Sequence, residues 1–266
     1  TASLISPTGF AFLNPNNLSG VISQSIPVLA ILGLAAGILM IAGEFDLSLG
    51  PAITFNAIVF IKVSESAGVW VGILAGIASG VLIALVNGSI VVFTKIPSFI
   101  ATLGMSFFWA GASIFVNGTT PAILTTSRDA TMVFLFAQDF GSFRSQLVWL
   151  IIIGVIAYFF LHRHKLGNHM FAVGGNESAA EAISINPKKI KLVAFGIFGG
   201  LVGFASILIA VRTSSMQPGG SATQDFTLFA IAAAVVGKIC PRLNRNAPAV
   251  NQLNGVLWKE FDILYE

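Results

Sequence analysis

Charge is what this sequence has least of: Asp, Glu, Lys and Arg make up 9% of its 266 residues, against 55% hydrophobic ones. With a strongly positive mean hydropathy, that scarcity excludes a soluble domain of this length. The formal net charge of +3 is too small to suggest nucleic-acid binding. Cysteine is nearly absent, and the single Cys240 excludes an internal disulfide framework and a thiolate metal cluster. Histidine is missing from every apolar run. His162, His164 and His169 share one polar stretch beside Arg163 and Lys165, without acidic or Cys ligands at fitting spacing, so they read as solvated interfacial residues and neither a metal site nor a cofactor is expected. Lacking a nearby histidine, Ser79 in "GIASG" has no base to make it a nucleophile. Asp46 follows Glu44 and Phe45, which is not the Gly-x-Gly-Asp setting of a membrane aspartyl protease. The "VVGK" at 235–238 is no phosphate loop, because Ala232 stands at the first required glycine and Ile239 at the Ser or Thr. These absences exclude an ATPase and point away from an enzyme.

Long charge-free runs take the place of these features. A hydrocarbon core about 30 Å thick needs roughly 20 apolar residues per helix. Runs of that order lie at 18–41, 47–61, 69–93, 99–116, 147–161 and 192–211, with a shorter one at 226–236. They predict an all-α, polytopic helical membrane protein with interrupted helices and about six to seven membrane segments. The stretch 162–191 holds Arg163, Lys165, Lys188, Lys189 and Lys191, whereas 117–146 holds Arg128 and Arg144 against Asp129 and Asp139. The positive-inside rule therefore places 162–191 in the cytoplasm. Counting spans from there puts Lys95 and the cluster Lys238, Arg242, Arg245 inside, and Lys62, Glu65, Arg212 and residue 1 outside. No basic n-region precedes the first run, so the chain reads as a fragment. Small residues Gly76, Ser79 and Gly80 predict a close helix-packing face.

Three polar stretches interrupt this pattern. In "GEFDLSLGP" at 43–51, two acids and a serine stand among glycines. An ionisable group at membrane depth costs about 2.5 to 3.5 kcal/mol, so a partner, water or function must compensate it. A wet interfacial turn and a break within a helix both fit, and Gly43, Gly50 and Pro51 favour the break. Asp46 and Ser48 are then expected to cap the helix that follows. A second stretch, "RTSSMQPGGSATQDF" from Arg212, repeats the design: Gly and Pro, one acid at Asp225, then a short apolar run. Paired interruptions of this kind point to a transport path between structural halves. In the third, "LGNHMFAVGGNESAAEAISINPKKIKL", Asn176 is a good N-cap and Glu177 suits a first turn. A helix of two to three turns over 178–183 is expected, stopped by Asn186 and Pro187. It packs either on its own membrane face or on a partner subunit.

Taken together, "GEFDLSLG" at 43–50, "SFIATLGM" at 98–105, "VNGTTP" at 116–121, "LGNHMFAVGGNESAAEAISIN" at 166–186 and "FAIAAAVVG" at 229–237 resemble, in order and spacing, the ribose-type permeases of bacterial ABC importers. The resemblance implies a translocation subunit for a sugar or similar small neutral solute, multi-pass in the bacterial inner membrane. It also implies three partners beside the lipid bilayer: a cytoplasmic ABC ATPase subunit, a second permease copy or relative, and a periplasmic solute-binding protein. Residues Gly174, Gly175, Asn176, Glu177, Ala179, Ala180 and Glu181 match the family's ATPase-coupling element, and Asp46, Ser48, Gly50 and Asp225 are the candidates for the path. Two departures stand out. Glu44 adds an acid where the family often has a small residue, and from residue 239 the chain reads as an unrelated polar tail. The expectation is an incomplete permease domain at 1–238, lacking the first and last spans, followed by a tail at 239–266 from a frameshifted or truncated frame. The alternative function is a secondary transporter driven by protons through Glu44 or Asp46.

Overall fold

A computed structural model describes residues 26–94, 96–125, 133–140, 143–220 and 223–236. The expected tail at 239–266, the cluster Lys238, Arg242 and Arg245, the pair Arg128 and Asp129, Lys95 and the start of the first apolar run lie outside the described residues. Within them the order is α1 (Ile26–Ile41), α2 (Leu49–Ala67), α3 (Val69–Thr94), α4 (Ser98–Asn117), β1 (Ala122–Ile123), a π-helical turn (Val133–Ala137), β2 (Asp139–Phe140), β3 (Phe143–Arg144), α5 (Ser145–Arg163), α6 (Lys165–Gly175), α7 (Glu177–Ala182), α8 (Pro187–Thr213), β4 (Ser215–Met216) and α9 (Gln224–Val236). The protein is all-α in architecture, its strands being two-residue staples: β1 pairs antiparallel with β4, and β2 with β3.

Helices α3, α4, α5 and α8 are long and apolar enough to cross a membrane. Helix α2 is as long as α5 but more polar, and it runs through the middle of the bundle, with Leu49, Ile53, Ala57, Ile58 and Phe60 fully buried. Helix α1 is apolar all round and mostly buried, as such a helix must be. Helix α4 is built inside out. Its buried residues are Ser98, Thr102 and Ser113, while Phe99, Ile100, Leu103, Phe107, Phe108 and Phe115 are exposed. In water that pattern would be unstable; in a bilayer lipid covers the aromatic face and the hydroxyls turn to partners inside.

The tightest contact joins α3 to α8. A Cβ at Gly80 would stand 2.8 Å from the Gly203 Cα, and one at Gly203 would stand 2.8 Å from the Gly76 carbonyl oxygen. The backbones therefore touch without intervening side chains, which is how transmembrane helices gain packing energy where no hydrophobic drive separates protein from lipid. Gly76 and Gly80 are on this face as expected. Ser79 turns the other way and donates to Asn56 Oδ1 on α2 at 2.9 Å. Down the α2–α3 pair the partners run Ser64 with Gly72, Asn56 with Ser79 and Asp46 with Asn87, the antiparallel register that the tight turn at Gly68 (φ 90°) imposes. At the end remote from Lys188, Lys189 and Lys191, Leu124 N–H donates to the Ser214 carbonyl and Thr125 Oγ1 to Glu65, tying β1 to the ends of α8 and α2.

Candidate translocation path and docking helix

The segment 42–48 leaves α1 and enters α2 without regular structure, so its backbone groups need partners. Helix α4 supplies them. Phe45 N–H donates to Ser98 Oγ at 3.1 Å and Leu47 N–H to Thr102 Oγ1 at 3.0 Å. Asp46 is buried and both its carboxylate oxygens are engaged: Oδ1 accepts from Ser48 N–H at 2.7 Å and from Ser48 Oγ at 2.6 Å, and Oδ2 accepts from Asn87 Nδ2 at 3.0 Å. Asn87 Nδ2 also donates to Ser48 Oγ at 2.7 Å, and Trp109 Nε1 donates to Asn87 Oδ1 at 3.1 Å. Four residues from the break, α3 and α4 thus form one connected network.

The expected cap is corrected by this geometry. Ser48 occupies the N-cap position of α2 but makes no side-chain cap bond; its hydroxyl donates to Asp46 and its oxygen accepts from Asn87 Nδ2. The free N–H of Gly50 is instead capped from the first turn of α9, just past the second interruption, by Thr227 Oγ1 at 2.9 Å. Thr223 Oγ1 donates to the Gly50 carbonyl at 2.7 Å and lies 2.7 Å from Thr54 Oγ1. Having one hydrogen, Thr223 spends it on Gly50, so Thr54 is the donor in that pair. Gly220, at φ 74°, packs its backbone on Pro51; that left-handed conformation together with the close approach requires glycine. The two interruptions therefore meet at a buried junction of Gly50, Pro51, Thr54, Gly220, Thr223 and Thr227. Asp225 is not part of it and is exposed on the first turn of α9. Asn56, fully buried one turn further along α2, has its Nδ2 without a partner among the described residues.

The polar stretch after α5 folds into two short helices. His164 caps α6 by accepting from Leu166 N–H, and Gly167, Met170 and Val173 form its buried face. Helix α7 starts as expected, with Asn176 Oδ1 accepting from Ala179 N–H at 3.0 Å. It has the six residues of the expected span, moved by one position to Glu177–Ala182 and short of the two to three turns expected, and Ser184 beyond it is left-handed; Asn186 caps α8 instead of stopping α7, and Pro187 opens α8. Ala180 is buried against the protein, whereas Ala179, Glu181 and Ala182 are exposed and Ile183 shows 68% of its surface. Gly174 packs its backbone on the Ile41 and Ala42 peptide groups, so the end of α6 rests on the start of the first interruption. Lys191 of α8 makes a second link, 2.9 Å from Glu44 Oε1 and 2.8 Å from Glu177 Oε2. Sequence reasoning singled out Asp46, Ser48, Gly50 and the 174–181 segment; it missed Asn87, Trp109, Thr223, Thr227 and Lys191, whose contacts all bridge distant parts of the chain.

Two interrupted segments meeting inside a bundle with apolar outer faces define a multi-pass membrane transport protein. The chain belongs to the family described as "Branched-chain amino acid transport system / permease component", whose family model matches residues 17–250. It is similar to the ribose import permease protein RbsC of Escherichia coli (strain K12), 30% identical over 237 residues that cover 88% of this chain and 72% of that one. It is also similar to the L-arabinose ABC transporter permease protein AraH of Azospirillum brasilense, 30% identical over 86% of this chain and 66% of that one. The xylose transport system permease protein XylH of Haemophilus influenzae is 27% identical over 86% and 76%. No solved structure matches. The protein is thus a translocation subunit of an ABC importer, not an enzyme, and as a permease component it works with ATP-hydrolysing and solute-binding subunits. The proton-driven alternative is not favoured.

Proposed function

We propose that this chain passes a monosaccharide or similar neutral polyol across the bacterial inner membrane, with the Gly50–Thr223–Thr227 junction organising the path and α7 receiving the stroke of a cytoplasmic ATPase. The junction is the observation that carries the reading. The end of α2, which would otherwise expose backbone groups in lipid, is satisfied by threonine hydroxyls at the start of α9, and the bonds joining them are few and polar, so they can be exchanged for solute hydroxyls as the halves move. Asp46 holds the break in shape and does not act as a counter-charge, since its two oxygens are already occupied. Glu44 is likewise paired with Lys191. With both acids compensated, a neutral solute suits the region better than a cation.

The relatives named for ribose, arabinose, allose and xylose support a sugar, while the family description names branched-chain amino acids. The basic segment around Lys188, Lys189 and Arg163 supports a cytoplasmic position for α6 and α7. There Ala179, Glu181, Ala182 and Ile183 face outward for an ATPase subunit. A second permease copy and a periplasmic solute-binding protein complete the assembly. The test is uptake into proteoliposomes holding the permease, its ATPase and its binding protein, with radiolabelled ribose, arabinose, allose, xylose and leucine. ATP-dependent accumulation of a sugar, unaffected by a protonophore, is expected; leucine uptake without sugar uptake overturns the solute class, and protonophore-sensitive uptake without ATP overturns the mechanism.

A further inference from the structure

The first interruption and the docking helix are joined through one cation. Lys191 reaches Glu44 on one side and Glu177 on the other, at 2.9 and 2.8 Å. Glu44 is buried and Glu177 exposed, so the lysine spans from the interior to the surface. An ammonium has three donors and no acceptor, and it can hold both carboxylates only while α7 stays within hydrogen-bond reach of the start of α8. Glu44 N–H donates to the Leu39 carbonyl, and Phe45 N–H to Ser98, so a pull on the Glu44 side chain acts on the backbone that leads into Asp46. The Gly174 contact with Ile41 and Ala42 pushes on the same turn. Glu44 is also the acid by which this sequence departs from the ribose-type pattern.

We infer that Lys191 is a positioning residue: an ionic latch that carries displacement of α7 to the Glu44–Asp46 break, and so couples ATPase movement to the path. The inference rests on the reading of α7 as the ATPase-docking helix. When α7 moves with the ATPase, the Lys191–Glu177 bond stretches; Lys191 then either follows α7 and releases Glu44, or stays and releases α7. In the first case Glu44 loses its counter-charge; in the second it no longer shares Lys191 with Glu177 and is held more tightly, so the setting of Glu44 shifts in step with the nucleotide by either route.

The experiment uses the full-length permease in complex with its ATPase, carrying Cys240→Ser and a reporter cysteine, Phe45→Cys, at the half-buried position next to Glu44. Maleimide labelling is timed without nucleotide and with ATP plus vanadate. ATP should change the rate several-fold in the parent and in Lys191→Arg, which keeps both ion pairs. Lys191→Met should co-purify with the ATPase and hydrolyse ATP but lose the change in rate. Glu44→Gln, which keeps the shape of the side chain, should lose it too and stands in if Lys191→Met fails to insert. A persisting change in Lys191→Met or Glu44→Gln overturns the latch, as does a change reduced only in proportion to lost hydrolysis. Failure of the docking reading looks different: the parent itself would not co-purify, or its labelling would ignore ATP.

Discussion

Gly50→Ala tests the junction where intuition about helices gives the wrong sign. Gly50 is the second residue of α2, and replacing an unconstrained helical glycine by alanine ordinarily stabilises by about 0.5 to 1 kcal/mol. Here the added Cβ would fall 2.5 Å from the Thr223 carbonyl oxygen and 3.0 Å from both the Thr223 carbonyl carbon and Thr227 Oγ1. Two of those atoms are backbone and cannot swing aside. Overpacking of this kind costs about 1 to 3 kcal/mol, and pushing Thr227 off the Gly50 N–H strands a buried donor for about 1 to 3 kcal/mol more. After the alanine gain is subtracted, the net loss is about 1 to 5 kcal/mol, and a loss of about 2 kcal/mol lowers the melting temperature by roughly 5 °C for a chain of this size. Gly104→Ala on α4 and Gly154→Ala on α5 are the controls, since a Cβ at either meets nothing within 4 Å; they should be neutral or slightly stabilising. Thermal unfolding in detergent and ATP-driven uptake in proteoliposomes should separate Gly50→Ala from both controls in the same direction. A Gly50→Ala permease as stable and active as Gly104→Ala would refute the junction.

Thr227→Val keeps the shape but removes the acceptor for Gly50 N–H, so stability should drop by about 1 to 3 kcal/mol and uptake with it, while Thr227→Ser restores both; equal behaviour of the two variants would dismiss the trans cap. On the docking helix, Ile183→Asp on the outward face should abolish ATPase co-purification without affecting insertion, whereas Ala180→Trp, facing inward, should disorder α7 and lower thermal stability; the opposite pattern reverses the assigned faces. In a Cys240→Ser background, a cysteine at Ser178 should label from the cytoplasm and one at Thr119 from outside, and labelling of both from one side would invert or dissolve the topology.

The spans were legible because long charge-free runs have few alternatives in a chain this apolar, and the observed ends of α3, α4 and α5 fall within two residues of the runs at 69–93, 99–116 and 147–161. The two interruptions were visible for a similar reason, since glycine, proline and an acid among apolar residues mark where a helix cannot continue. Their meeting was not. Gly50 and Thr227 are 177 residues apart, and only the packing of α9 across α1 and α2 brings them together; the sole local hint was two threonines four apart, which share a helix face. Helix α6 was missed because its sequence is polar and glycine-containing, although Gly167, Met170 and Val173 repeat at intervals of three and His164 precedes them as a cap. Lys191 contributed to the orientation argument as one positive charge among several. Its two partners, Glu44 and Glu177, come from separate parts of the chain, so no local pattern could pair them.

The remaining question is which atoms make Asp46 tolerable at its depth, and the network permits a test that leaves the number of buried charges unchanged. The indole N–H of Trp109 can only donate, so the Asn87 oxygen must face it, and the Asn87 NH₂ must face Asp46 and Ser48. Asp46→Asn then either keeps its oxygen on Ser48 and presents a second NH₂ to that of Asn87, donor against donor, or flips and breaks the Ser48 bonds. Asn87 cannot turn to help without losing Trp109. One buried donor is left unpaired either way, at about 1 to 3 kcal/mol, although the substitution removes a buried charge and would be stabilising if burial cost alone decided. Exchanging the residues, Asp46→Asn with Asn87→Asp, restores a donor-to-acceptor pair between positions 46 and 87 and leaves an oxygen facing Trp109. Uptake and melting temperature should therefore fall in Asp46→Asn and recover substantially in the exchange. If Asp46→Asn alone matches or exceeds the parent, desolvation outweighs the directed bonds; if the exchange is worse than the single change, the carboxylate is needed at 46 for something other than holding the break.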